Sequence, residues 1–194
     1  MDPALIGALI VAAVFGLPAL VVLVWVLATY NRFVRLRQHI QESWADIDVE
    51  MKRRYDLVPN LVETVKGYAA HEREVLERVV ELRNRAAANN GPAASQAADE
   101  SALLLGLKRL FAVVEGYPKL KADAHFLELQ KELALTEDRI AAARRFYNGN
   151  VREMRSLREM FPTSIIGSLF GFRGDESFFE LEGEAERVVP RSSF

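Results

Sequence analysis

Between Asp2 and Arg32 the chain carries no ionisable acid or base except Tyr30, and the run from Leu5 to Leu27 is almost wholly Leu, Val, Ile, Ala, Gly and Phe. A helix needs roughly 20 apolar residues to cross about 30 Å of hydrocarbon, so residues 5–27 can span a bilayer with room for tilt. Trp25 and Tyr30 then fall near one interface, where amphipathic rings are favoured. A cleaved signal peptide is the rival reading, but it needs a basic start and a short apolar core before a small-residue cleavage site. Here the start offers Asp2 and no Lys or Arg, so residues 1–30 read as a transmembrane anchor. Arg32, Arg35 and Arg37 follow the span and no basic side chain precedes it, which predicts a cytoplasmic C-terminal side and an N-terminus outside. Ala4, Ala8, Ala12 and Gly16 recur every four residues. Such a stripe is either a packing seam for a second helix or mere composition of the span.

The rest of the chain differs in kind. Over all 194 residues, 25 Lys and Arg face 27 Asp and Glu, for a net charge of −2, which removes the main electrostatic argument for nucleic acid as a partner. The absence of cysteine excludes disulfides, thiolate nucleophiles, Cys-ligated zinc, iron–sulfur clusters and a lipidated N-terminal cysteine. Apolar residues at Phe33, Leu36, Ile40, Trp44, Ile47, Met51, Tyr55 and Val58 step by 3, 4, 4, 3, 4, 4, 3. That is an eleven-residue repeat keeping one stripe on a nearly straight helix, so the anchor should run on as a stalk until Pro59 ends or bends it near Val58. A second helix is predicted from about Pro59 to Ala88 through Leu61, Val65, Tyr68, Val75, Val79, Leu82 and Ala86, closed by the Asn89-Asn90-Gly91-Pro92 break. A third runs from about Ser95 to Glu115 on Leu103, Leu107, Leu110 and Val114. The fourth, about Asp123 to Arg158, starts on Asp123 as N-cap and carries Phe126, Leu129, Leu133, Ile140, Tyr147, Val151 and Met154.

Long helices joined by short turns pack as antiparallel neighbours. The expected fold is therefore all-α, with a transmembrane helix continuing into an antiparallel bundle of about four long helices over residues 31–160. In an up-down-up-down order the fourth helix returns towards the membrane, bringing with it an apolar tail, residues 161–182. Its core, Phe161 to Phe172 (FPTSIIGSLFGF), is too short to span. Ile165, Ile166, Leu169, Phe170 and Phe172 either meet the bilayer interface or a partner's groove, or fold back to plug the bundle's open end. Residues 183–194 are polar and expected to be flexible.

Several words in this chain resemble the LemA family: Ile47-Asp-Val, residues 52–72 (KRRYDLVPNLVETVKGYAAHE), residues 115–121 (EGYPKLK), residues 139–148 (RIAAARRFYN), and the Phe161-Pro and Gly171-Phe pairs. The match runs in order over roughly residues 30–180. The resemblance implies a bacterial membrane-anchored protein whose exposed part is a bundle of long helices. It implies no reaction. Related proteins occur with membrane metalloproteases of the HtpX type and, in a magnetosome relative, with membrane biogenesis.

The residues themselves offer no obvious chemistry. A di-iron bundle enzyme would need Glu-x-x-His pairs, but His39, His71 and His125 have Leu36, Tyr68 and Ala122 three positions earlier. His71-Glu72 opens like a zinc-protease helix, yet the second ligand position holds Val75. Gly167, Gly171 and Gly174 have neither the spacing nor the preceding strand of a phosphate loop. No catalytic residue, metal or cofactor is expected. Glu72 falls on the second helix's stripe, and Arg144 and Asn148 lie beside the fourth's, and buried charges must be paired. The expectation is an inter-helix polar network in which Arg53 or Arg144 bridges Glu63, Glu72, Glu115 or Glu137, with Asn148 nearby.

These readings converge on a non-enzymatic single-pass scaffold or adaptor of the bacterial cytoplasmic membrane. It would homo-oligomerise and engage membrane partners, an HtpX-type metalloprotease among them. The alternatives are a direct membrane-shaping or membrane-biogenesis protein and an unrecognised hydrolase.

Overall fold

The structure, a computed structural model, describes Gly7, residues 12–172, Gly174 and residues 176–181. A π-helical turn, Ala12–Gly16, leads into α1, Leu17–Lys66. Then follow α2 (Arg73–Ala88), α3 (Ala93–Val114), a single turn α4 (Pro118–Lys121), α5 (Ala124–Glu159) and α6 (Thr163–Leu169). Among the described residues there is no strand. The all-α architecture with a long apolar N-terminal helix is the one the sequence predicts. The chain divides into unit A, residues 1–40 and 152–175, and unit B, residues 41–151 and 176–194.

Unit B is a four-helix bundle. Residues of α1 meet residues of α5 in descending register, Ser43 with Asn150, Trp44 with Tyr147, Glu50 with Arg139 and Arg54 with Glu137, so these helices are antiparallel. Arg85 pairs with Asp99 across the α2–α3 hairpin, and Phe111 of α3 meets Phe126 of α5. The stripes read from the sequence are the buried ones: Ile47, Met51 and Val58; Leu103, Leu107 and Leu110; Phe126, Leu129, Leu133 and Ile140. Gly106 lets α2 and α3 approach closely, since a Cβ there would meet Leu82 Cδ1 at 2.8 Å.

Of the two outcomes expected at Pro59, an end or a bend, the end does not occur. Helix α1 does not stop near Val58 but runs through Pro59 to Lys66. Proline in a helix interior removes the bond to the carbonyl four residues earlier, here that of Tyr55. Arg83 of α2 supplies the missing donor, its Nε donating to the Tyr55 carbonyl at 2.9 Å. The break falls instead at residues 67–72, and it resets the helical register. Ala69 and Leu76 are buried, whereas Tyr68, expected on the stripe, is exposed and Val75 half-buried.

Unit A combines residues 12–40, the end of α5 and the tail helix α6. Its apolar helix exposes Val14, Phe15, Leu17 and most residues up to Leu27, the opposite of a soluble core helix. Burial begins at Thr29 and Phe33 and continues with Leu36, Ile40, Met154, Leu157, Ile166 and Phe172.

Candidate functional site

Two constellations stand out, one in each unit. In unit A the tail closes on the foot of the apolar helix through aromatic rings. Helix α6 ends in a Schellman turn: Gly171 takes φ +67°, Phe172 N–H donates to the Gly167 carbonyl at 2.9 Å, and Gly171 N–H donates to Ser168 at 3.4 Å. Glycine is the residue that adopts this left-handed geometry without cost, and the motif turns the next side chain back onto its neighbours. Phe172 thereby stacks on Phe33 at 4.7 Å, and Phe170 and Phe172 meet Tyr30 edge-on at 5.0 and 5.6 Å. The Arg37 guanidinium covers the Phe172 ring at 4.8 Å, and Arg32 pairs with Glu153 at 2.9 Å. A Cβ added at Gly167 would lie 3.3 Å from the Phe33 ring, and a side chain at Gly174 would run into the Arg158 guanidinium.

In unit B the centre is ionic. Arg54 and Glu100 are each 1% exposed and pair directly, Arg54 Nη1 donates to half-buried Glu137 at 2.7 Å, and the Tyr55 hydroxyl donates to Glu100. Three helices are thus tied through one guanidinium. A buried carboxylate is tolerable only with such partners, and charge-assisted bonds to arginine are the strong ones. Burial pushes the Tyr55 hydroxyl up to about 12, against the pull of the Arg54 charge.

Further ties close the bundle. Asp123 caps α5 by accepting Phe126 N–H at 2.9 Å and also accepts the Tyr68 hydroxyl at 2.9 Å. The backbone bond first, and the tyrosine second, hold its carboxyl below the ordinary value. The Tyr117 hydroxyl donates to Glu72 at 3.3 Å. Asn148 clamps the backbone of Phe179, donating to its carbonyl at 3.0 Å and accepting its N–H at 2.9 Å, while Tyr147 donates to the Ser177 carbonyl. Phe179 is buried against Trp44. Residues 176–181 therefore belong with the bundle, and residues 161–172 with unit A.

The residues expected to form one polar network are dispersed. Glu137 joins the buried cluster, whose arginine is Arg54 rather than Arg53. Arg53 lies 3.9 Å from Glu132 with both side chains about half exposed, a geometry worth little. Glu72 takes the Tyr117 bond, Glu115 pairs with Lys121 at the surface, Glu63 is exposed, and Arg144 is buried. Asn148 is the Phe179 clamp. Of the small-residue stripe, Ala4 and Ala8 lie outside the described residues, as do residues 183–194. Ala12 and Gly16 bound the π-helical turn. In the tail, Ile166 and Phe172 are buried, whereas Ile165, Leu169 and Phe170 are exposed.

Sequence reasoning missed Arg54, Glu100 and Arg83. Arg54 follows Met51 by three and Glu100 follows Ala97 by three, so both lie on apolar stripes, and that placement is the signal. Among the described residues no three His, Asp or Glu side chains gather into a group that could hold a metal.

An all-α chain with one helix long and apolar enough to cross a membrane, folded against its own tail at that helix's foot, defines a membrane-associated helical protein. The family profile of the LemA family matches residues 43–194, and the chain belongs to that family. It is 26% identical to the magnetosome protein MamQ of Magnetospirillum gryphiswaldense over 85% of this chain and 70% of that protein. It is 27% identical to magnetosome protein MamQ 2 of Paramagnetospirillum magneticum over 96% of this chain and 77% of that protein. It is also 27% identical to protein LemA of Metamycoplasma hominis, over 70% of this chain and 62% of that protein.

Proposed function

We propose that the protein is a non-enzymatic, single-pass scaffold of the bacterial cytoplasmic membrane, with its N-terminus outside and its bundle in the cytoplasm. It homo-oligomerises and engages a membrane-embedded partner, an HtpX-type metalloprotease being the first candidate. The observation that carries this reading is the aromatic closure of Tyr30, Phe33, Phe170 and Phe172. It makes the foot of the apolar helix a folded unit rather than a loose tether. The buried Arg54 cluster supports it further, because ionic pairs inside a bundle fix helix register more than they add stability.

Native mass spectrometry of the full-length protein, extracted from its own membrane in mild detergent, tests this. The expected spectrum holds several copies of the chain with a second membrane protein. A bare monomer would contradict the reading, and so would hydrolysis abolished by one Glu→Gln change with folding intact. A second reading, membrane shaping or membrane biogenesis, is favoured by the exposed apolar residues of the tail. A homo-oligomer without any second protein would turn the balance towards it.

A further inference from the structure

The tail helix α6 has two apolar faces, and only one is used inside the chain. Ile166, 3% exposed, and Gly167 pack inward, and the Schellman turn returns Phe172 to Phe33. On the other side Ile165 and Leu169, spaced by four, are 54% and 73% exposed, and Met160 and Phe161 before the helix and Phe170 at its end are exposed as well. We propose that this outer face is a lipid-docking surface. Its occupant is the headgroup–acyl boundary of the bilayer that α1 enters, with anionic headgroups held by the arginines of unit A.

Three observations select lipid over other occupants. The first is level. Phe170 touches Tyr30, which lies three residues beyond Leu27, about 4.5 Å along a helix. The headgroup layer on each side of the hydrocarbon is roughly 5–8 Å thick, so the tail ring stands within it. The second is continuity. The exposed side chains from Val14 to Leu27 already require hydrocarbon around α1, and the outer face of α6 extends that apolar surface sideways at the span's foot. The third is charge. Residues 12–40 and 152–172 contain six arginines and two glutamates. One of those glutamates is committed to Arg32, while Arg35 is exposed and Arg37 lies over Phe172. An apolar face flanked by arginine is the composition of a helix lying in an anionic interface, and basic residues within about 8 Å of that surface act on it. The inference rests on α1 being membrane-anchored and not on what the bundle does.

The absence of native cysteine makes the test direct. Single nitroxide labels are placed in the full-length protein at Ile165→Cys, at Leu20→Cys in the span and at Lys119→Cys on the exposed α4 turn. Each is reconstituted into phosphatidylcholine vesicles with and without phosphatidylglycerol, and its accessibility to oxygen and to a water-soluble nickel chelate is measured. We expect the Leu20 label to be deep, the Lys119 label aqueous, and the Ile165 label to prefer oxygen over nickel several-fold more than Lys119 does. That preference should weaken when phosphatidylglycerol is omitted. An Ile165 label as open to nickel as Lys119 would overturn the inference while leaving the anchor intact. One shielded from both reagents would overturn it in favour of a protein occupant. A nickel-accessible Leu20 label would overturn the anchor and the inference together. No lipid dependence would remove the role of the arginines.

Discussion

Units A and B are built from the same two long helices by opposite rules. Unit B hides charge: Arg54 and Glu100 sit at the centre of the bundle, and its exposed apolar side chains, such as Leu105 and Phe146, lie on separate helices. Unit A hides aromatic rings and leaves apolar side chains outside, from Val14 in the π-helical turn to Leu27 on α1 and at Phe161, Ile165 and Leu169 on the tail. Water explains the first arrangement, because a buried ion pair is held only where its partners replace hydration. Hydrocarbon explains the second, because exposed apolar surface of this extent is costly in water and free in lipid.

The largest way to break the contrast is at the ion cluster. Arg54→Met leaves Glu100 buried without its counter-charge and should cost about 3–5 kcal/mol, read as the urea midpoint of the full chain in mild detergent. Adding Glu100→Gln should restore most of it. If the single change is neutral, the cluster is not holding unit B. Next, Phe172→Ala in unit A removes a buried ring worth about 3 kcal/mol locally. Proteolysis should then begin within residues 160–172 while the bundle's urea midpoint stays put. A matched fall in both would mean the units are not distinct in stability.

A sharper test concerns the helix at Pro59. Arg83→Met strands the Tyr55 carbonyl and should cost about 1–3 kcal/mol. In a Pro59→Ala background, where residue 59 regains an N–H, the same change should cost much less. Equal costs in both backgrounds would show that Arg83 does not stand in for the missing donor. The smallest effect is at Asp123. Asp123→Ala should lower the urea midpoint slightly through loss of the helix cap. Because the native carboxyl is held below its ordinary 3.8, its contribution is complete above that pH and is lost as pH falls through the lowered native value. Acid titration of the variant should therefore lack this component, and an unchanged acid profile would contradict the cap.

Much of this was legible because helical periodicity is strong. Stripes such as Leu103, Leu107 and Leu110 or Phe126, Leu129 and Leu133 are read from spacing alone, and so is the apolar span. The continuation through Pro59 is not legible locally, because the position is rescued from another helix and nothing in residues 55–59 announces Arg83. Arg54 is hard to single out because Lys52, Arg53 and Arg54 form one run in sequence, although successive helix residues are turned by about 100° and only the third falls on the Met51 stripe. Glu100 lies among the alanines and polar residues at the start of α3, where the stripe is faint. The tail's division was out of reach from its composition, since Gly171 and the Asn148 clamp, not hydrophobicity, send residues 161–172 and 176–181 to different units.

The measurement that bears most directly on the central claim is hydrogen exchange of the full-length protein in anionic lipid nanodiscs and in amphipol, which offers no headgroup surface. Amides of residues 160–171 should exchange several-fold more slowly in nanodiscs, while those of residues 41–66 and 73–88 should be protected equally in both. Equal exchange of residues 160–171 in the two environments, or a bundle whose protection depends on lipid, would contradict the opposition between a lipid-solvated foot and a charge-locked bundle.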